Sequence, residues 1–143
     1  MSAPGHKPPP GGKVTRVELR GLSSDARGWG MNPVRQAGAG PGAAAQLHVV
    51  SIRPGASRGH HAHGNATEWI LVFGGPAKLT WTSPADAALH EEAVTGPDPV
   101  LFEIPSLVEH VITNTGDQDI YAVAFYDHPA PETLPAETLP TTP

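Results

Sequence analysis

Glycine and proline occur so often along this chain that long helices are disfavoured. The 143 residues include 17 prolines and 16 glycines. The segments between them are rich in β-branched and aromatic residues, as at residues 46–52, 68–73, 77–82, 100–104, 109–113 and 120–126. Many short strands separated by turns are typical of a sandwich or barrel. The sequence therefore predicts an all-β fold.

The chain divides into a central domain and two flanking segments. We expect residues 1–12, which are rich in proline and glycine, to be disordered, and residues 13–128 to form a single domain. Residues 13–20 alternate apolar and charged side chains, which predicts a half-buried strand that lies at an edge or is exchanged with a second copy. Residues 21–42 are predicted to be a long glycine-rich connection. Residues 129–143 are proline-rich, and we expect an extended or disordered tail.

Composition argues against several classes of function. The chain has no cysteine, so it has neither a disulfide nor a thiolate metal ligand. The formal net charge is −5 and there is no basic stripe, so we expect no nucleic-acid partner. No apolar run approaches the ~20 residues that cross a bilayer, and the first residues lack the apolar stretch of a secretory signal. We therefore expect a cytoplasmic protein without a membrane partner.

Two histidines in one strand are the strongest chemical signal. His61 and His63 lie two residues apart, so on a strand both imidazoles point to the same face. A turn composition follows at residues 64–67, and Glu68 then opens an apolar strand. If the two strands pair, Glu68 lies near both imidazoles. Two nitrogens and one carboxylate make most of a divalent-metal site.

The spacing of these residues resembles that of the cupin superfamily. The first cupin motif matches at Gly55, His61, His63, Glu68 and Gly75. The second matches at Pro105, His110 and Asn114, with Pro99 and Leu107 where the pattern has glycines. The resemblance implies a double-stranded β-helix, or jelly-roll barrel, with the site in its mouth. It also implies four ligands to a divalent transition metal, which are His61, His63, Glu68 and His110. Iron, manganese, zinc, nickel, cobalt and copper all accept such a set.

A narrower resemblance bears on the reaction. The run at residues 58–63, Arg-Gly-His-His-Ala-His, is similar to a block in sugar-nucleotide ketoisomerases and in cupin domains of capsular-polysaccharide enzymes. It implies that a histidine of the block acts as a base on a carbon next to a carbonyl. We therefore expect a metal-dependent isomerase, epimerase or cyclase for a small carbonyl metabolite such as a sugar derivative, with His61 and Glu68 as catalytic residues. An iron-dependent dioxygenase and a non-catalytic binding module are the alternatives.

Strand parity predicts the surroundings of the site. Ile70 and Val72 share a face with Glu68, and Ile112 shares one with His110, so these residues should form an apolar floor. Candidates for the substrate pocket are Gln46, His48 and Tyr126, with Trp29 closing the rim. His60 should point away from the metal because it alternates with His61. We also expect a homodimer that pairs through residues 13–20.

Overall fold

Two five-stranded antiparallel sheets make up the structure. A computed structural model of the chain describes residues 7–40 and 42–139. Its strands are β1 (Thr15–Arg16), β2 (Ser23–Asp25), β3 (Gly28–Gly30), β4 (His48–Ile52), β5 (Ser57–His63), β6 (Glu68–Phe73), β7 (Ala77–Thr82), β8 (Leu89–Val94), β9 (Val100–Ile104), β10 (Glu109–Asn114), β11 (Ile120–Tyr126) and β12 (Thr133–Pro135). The first sheet has the order β1-β9-β6-β11-β4, and the second has the order β12-β5-β10-β7-β8. This arrangement confirms the all-β, jelly-roll prediction.

The main core fills the space between the two sheets. Ile70 and Val72 of β6 and Ile112 of β10 are buried in it, as strand parity predicted. Glu68 and His110 belong to the same inner faces, at the ends of these strands. The sheets therefore provide an apolar floor directly beside the polar residues of the predicted site.

A second apolar layer covers the outer face of the first sheet. The sequence predicted only a glycine-rich connection at residues 21–42, but the hairpin of β2 and β3 and a short helix, α1 (Pro33–Ala37), form there. Asn32 caps α1 by accepting a hydrogen bond from Arg35 N, and Gly38 ends it with φ 66°. Ala37 packs with Trp69, among other residues of the sheet. Within the described ranges, no helix is long and apolar enough to span a membrane.

The strand predicted at residues 13–20 is short. Only Thr15 and Arg16 pair with β9, and they do so within one chain. The Arg16 Nε atom lies 2.7 Å from Glu92 Oε1 in β8. Arg16 therefore ties the edge of the first sheet to the edge of the second.

The packed structure extends beyond the domain boundaries expected from the sequence. Gly11 is buried, and its N–H donates to the Ser106 carbonyl oxygen at 2.7 Å. At the other end, β12 pairs with β5, and Leu139 is only 6% exposed. The parts of the flanking segments at residues 1–6 and 140–143 lie outside the described residues. The remaining parts belong to the domain because they satisfy backbone hydrogen bonds of its loops and strands.

Candidate metal centre

A β-bulge sets the positions of the histidines in β5. His110 of β10 pairs with His61, but the next residue, Val111, pairs with Gly59, so His60 is an extra residue in the ladder. Gly59 has φ 119° and His60 has φ 60°. A Cβ atom on Gly59 would lie 2.7 Å from the His110 carbonyl oxygen. The simple alternation assumed for His60 is therefore interrupted, and a glycine is required at position 59.

The structure brings the four predicted ligand residues together. His61 and His63 come from β5, Glu68 begins β6 in the other sheet, and His110 lies in β10. One potential ligand atom from each residue lies within 4.8 Å of the other three. Nε2 of His110 is 2.7 Å from Glu68 Oε1, and Nε2 of His63 is 3.3 Å from the same oxygen. His63, Glu68 and His110 are all buried, whereas His61 is half-buried.

The arrangement of the donor atoms suits binding of a metal ion better than hydrogen bonding among the four side chains. Despite the short separations, the buried atoms His63 Nε2, Glu68 Oε1 and His110 Nε2 have no hydrogen bond of acceptable direction. Buried polar groups without partners are costly, so such a cluster is expected where a ligand completes it. Imidazole and carboxylate ligands without a thiolate suit divalent transition ions. The residues present therefore fit the metal that the cupin resemblance implies.

The other ring nitrogens fix how the histidines face the cluster. His110 Nδ1 lies 2.9 Å from the Val108 carbonyl oxygen, and His63 Nδ1 lies 3.2 Å from the Glu132 carbonyl oxygen. A carbonyl only accepts, so each contact requires the proton on Nδ1. In the neutral imidazole the lone pair is then on Nε2, which faces Glu68 in both rings. Carbonyl partners of this kind are usual for metal-binding histidines.

Electrostatics acts differently on the ligands: the Glu68 carboxylate outweighs burial and raises the pKa of His110, whereas Glu68 and His61 are held in the states that bind metals. Burial alone would raise the pKa of Glu68, but the neighbouring rings of His110 and His63 outweigh it and hold that pKa well below its usual range. Burial and the neighbouring charge of His110 lower the pKa of His61 to about 4. At neutral pH Glu68 is therefore an anion and His61 a neutral imidazole. These are the protonation states in which both side chains bind metals.

Two of the predicted pocket residues lie beside the cluster. The Tyr126 ring is 4.9 Å from the His63 ring, and burial together with the Glu68 charge raises the pKa of Tyr126. The tyrosine is therefore a neutral phenol that can donate a hydrogen bond. His48 lies 6.1 Å from Tyr126, ring to ring, and shares the inner face of β4 with Ile52. It remains exposed, which places it at the mouth.

The other two pocket candidates lie outside the strands that carry the cluster. Gln46 is exposed and ends a 3₁₀ turn (Ala43–Gln46), because β4 begins only at His48. Trp29 packs against Phe73 with ring centroids 5.4 Å apart. Phe73 belongs to the outer layer and Glu68 to the inner face, so Trp29 covers the outside of the sheet. The placement of Trp29 at the rim is therefore wrong. The sequence reasoning also missed Glu132, whose only signal was its position in the tail.

Known proteins that resemble this chain share its fold, and most of its length matches a known family. The solved structures that resemble this chain include sugar isomerases and an oxalate decarboxylase, all with the cupin fold. The chain shares this fold, and its motifs resemble those of the cupin superfamily. Residues 23–134 also match the family of polysaccharide biosynthesis C-terminal domains, and the chain belongs to that family.

Individual relatives differ in how much of their length is matched. The chain is 28% identical over 116 residues to the UDP-2-acetamido-2,6-beta-L-arabino-hexul-4-ose reductase of Pseudomonas aeruginosa, covering 78% of this chain and 30% of that protein. It is 27% identical to the capsular polysaccharide assembling protein CapF of Staphylococcus aureus, with a TM-score of 0.57, covering 64% of this chain and 28% of CapF. The chain thus spans less than a third of either protein.

A third relative has a length similar to that of this chain. The dTDP sugar isomerase of Desulfovibrio desulfuricans is 20% identical, with a TM-score of 0.71, over 87% of this chain and 84% of the isomerase. Identity at this level shows a shared fold.

Proposed function

We propose that this cupin binds a divalent transition metal at His61, His63, Glu68 and His110, and that it isomerises or epimerises a nucleotide-linked keto sugar. The observation that carries the metal proposal is the convergence of buried donor atoms without directed hydrogen bonds. Structural pairing among the four side chains would leave no such atoms. A site that holds a cation accounts for all of them.

The substrate class is supported by the family and by named relatives. The chain belongs to a family of polysaccharide biosynthesis domains. The Pseudomonas relative is named for a UDP-linked hexul-4-ose, which is a keto sugar joined to a nucleotide. A second relative is named a dTDP sugar isomerase. Both names specify a nucleotide-linked sugar and the first also specifies a carbonyl, so we assign a nucleotide-linked keto sugar as the substrate of this chain.

The residues around the cluster suit proton transfer next to a carbonyl. A bound ion would act as a Lewis acid on the sugar carbonyl oxygen. His61 and Glu68 would hold that ion with a neutral and an anionic donor. Tyr126, kept protonated, can donate to an oxygen of the substrate. His48 lies outside the cluster at the mouth, and we assign it as the base that takes the proton from the carbon next to the carbonyl and returns a proton to the neighbouring carbon.

The apolar floor strengthens each of these interactions. Val72 is fully buried and Ile70 is 5% exposed, so the inner end of the site excludes water. Charge interactions are stronger where water is excluded. Specificity for the sugar then depends on polar groups at the mouth, where His48 and Tyr126 lie.

Isotope exchange tests the proposed reaction. Metal-loaded protein is incubated in D₂O with dTDP- and UDP-linked 4-keto-6-deoxy sugars, and deuterium is followed by NMR at the carbons next to the carbonyl. We expect metal-dependent exchange, and His110→Ala is the matched control that removes a ligand. Metal-loaded protein that exchanges no deuterium on any of these sugars would contradict the assignment. Consumption of dioxygen instead would favour the dioxygenase.

A further inference from the structure

The segment at residues 129–139, here called the tail segment, lies alongside the strand that carries two of the ligands. In β12, Thr133 pairs with His63 and Pro135 pairs with His61. The Ala136 N–H then donates to the His60 carbonyl oxygen at 3.0 Å. The tail segment therefore accompanies β5 over the whole length of its histidine run.

One carbonyl of the tail segment contacts a ligand side chain. The Glu132 carbonyl oxygen lies 3.2 Å from His63 Nδ1 and also accepts a hydrogen bond from Gly64 N at 3.1 Å. This contact requires the proton on Nδ1, so it leaves the Nε2 lone pair directed toward Glu68. The imidazole of His63 is thus oriented from outside the cluster, by a residue that is distant in sequence.

The side chain of Asn65 holds this carbonyl in place. Its amide oxygen accepts from Glu132 N at 2.7 Å, and its amide nitrogen donates to the Ala130 carbonyl oxygen at 3.3 Å. Asn65 is itself exposed, and it lies in the turn between the ligands His63 and Glu68. The two bonds fix the backbone on both sides of residue 131, and with it the direction of the Glu132 carbonyl.

A second anchor holds the far end of the tail segment. Glu109 Oε1 accepts hydrogen bonds from Thr138 N at 2.8 Å and from Thr138 Oγ1 at 2.7 Å. Glu109 directly precedes the ligand His110. Leu139 is buried next to this contact point in the sequence. The tail segment is therefore attached beside ligands on both β5 and β10.

We infer that the tail segment increases the metal affinity of the site, and that Asn65 is a positioning residue that orients His63 through the Glu132 carbonyl. This inference rests on the proposed metal binding. Outer partners of metal-binding histidines typically contribute about 10–100-fold to metal affinity. Loosening the tail segment should therefore weaken metal binding although every ligand remains.

The test uses the full chain and Co²⁺ as the probe. Affinity is measured by competition with a chelator, and the visible absorption spectrum of bound Co²⁺ reports the ligand geometry. We expect Asn65→Ala to lower Co²⁺ affinity at least about 10-fold and to alter the spectrum. Asn65→Asp keeps the acceptor for Glu132 N and should restore most of the affinity. That comparison is made at about 1 M salt, where a Debye length of about 3 Å screens the added charge.

A matched control separates this role from general stability. Asp25→Ala removes an exposed side chain that, among the described residues, is hydrogen-bonded to its near neighbour Arg27, so Co²⁺ binding should not change. If Asn65→Ala lowers the melting temperature of the metal-free protein but keeps wild-type Co²⁺ affinity and spectrum, the tail segment is only structural and the inference is wrong. If the wild-type chain takes up no Co²⁺, the proposed function fails and the inference fails with it.

Discussion

Replacing Gly59 by alanine should damage the metal centre without removing a ligand. The residue has φ 119°, which L residues adopt at a cost of about 1–3 kcal/mol. In addition, the new Cβ would lie 2.7 Å from the His110 carbonyl oxygen and 3.1 Å from Val111 Cα. Both contacts are with backbone, so no rotamer change relieves them. We expect a total destabilisation of about 3 kcal/mol, because overpacking adds about 1–3 kcal/mol to the backbone strain.

Gly28 offers a matched control for this experiment. It has a similar φ of 125°, but among the described residues no atom other than those of its chain neighbours lies within 4 Å of its Cβ position. Gly28→Ala therefore measures the backbone strain alone, and the difference between the two variants measures the close approach to His110. Because a displacement of His61 or His110 disturbs the cluster, Gly59→Ala should also lower Zn²⁺ affinity about 10-fold or more.

Thermal denaturation and calorimetric titration provide the readouts. For a domain of this size, each kcal/mol shifts the melting temperature by about 2–4 °C, so Gly59→Ala should melt about 6–12 °C below the wild type. Gly28→Ala should melt closer to the wild type and bind Zn²⁺ normally. Equal melting temperatures for the two variants, with wild-type Zn²⁺ affinity in Gly59→Ala, would refute the role given to the bulge.

Four further predictions concern the site, the fold and the assembly. Glu68→Gln should lower Zn²⁺ affinity by more than the ~10–100-fold typical of outer partners, because it removes the anionic ligand; near-normal affinity by titration would contradict this. His48→Ala should retain metal content by elemental analysis but lose deuterium exchange into the sugar, and unchanged exchange would remove His48 from the mechanism. Leu107 has φ 68° and is 41% exposed, so Leu107→Gly should raise the melting temperature by relieving about 1 kcal/mol of strain; a lower melting temperature would show that its apolar contacts matter more. The homodimer stays a prediction, and light scattering of the wild type should give twice the mass of one chain. Val49→Lys, which places a charge at an exposed apolar position, should reduce the measured mass. A monomeric wild type would exclude the homodimer.

The ligand set could be predicted because it depends on parity and spacing. His61 and His63 are two residues apart, and Glu68 opens the next strand, so the short turn at residues 64–67 keeps the three side chains close. The expected pairing of the two strands does not occur, because β5 and β6 belong to different sheets. His110 followed from the second motif. Leu107 shows that this motif tolerates a departure, because its backbone adopts φ 68° without a glycine. The turn that precedes His110 is thus kept at a local energetic cost.

The features that were missed depend on contacts between distant residues. The bulge at His60 is visible only when β5 is paired with β10, although a glycine within a strand pattern is a signal for it. The tail was expected to be extended or disordered because its composition is proline-rich, but its attachment is decided by Asn65 and Glu109. Trp29 was misplaced because the segment that carries it was interpreted as a glycine-rich connection, whereas it forms a hairpin.

Calorimetric titration of metal-stripped protein with Zn²⁺ at neutral pH tests the central claim most directly. The account predicts saturable binding of one ion per chain, with a free energy of unfolding that increases by about 2.7 kcal/mol when free Zn²⁺ is 100 times Kd. In His110→Ala both the heat of binding and this stabilisation should be lost, since His110 is one of the four converging residues. A wild-type chain that gives no heat of binding and no change in melting temperature would contradict the account.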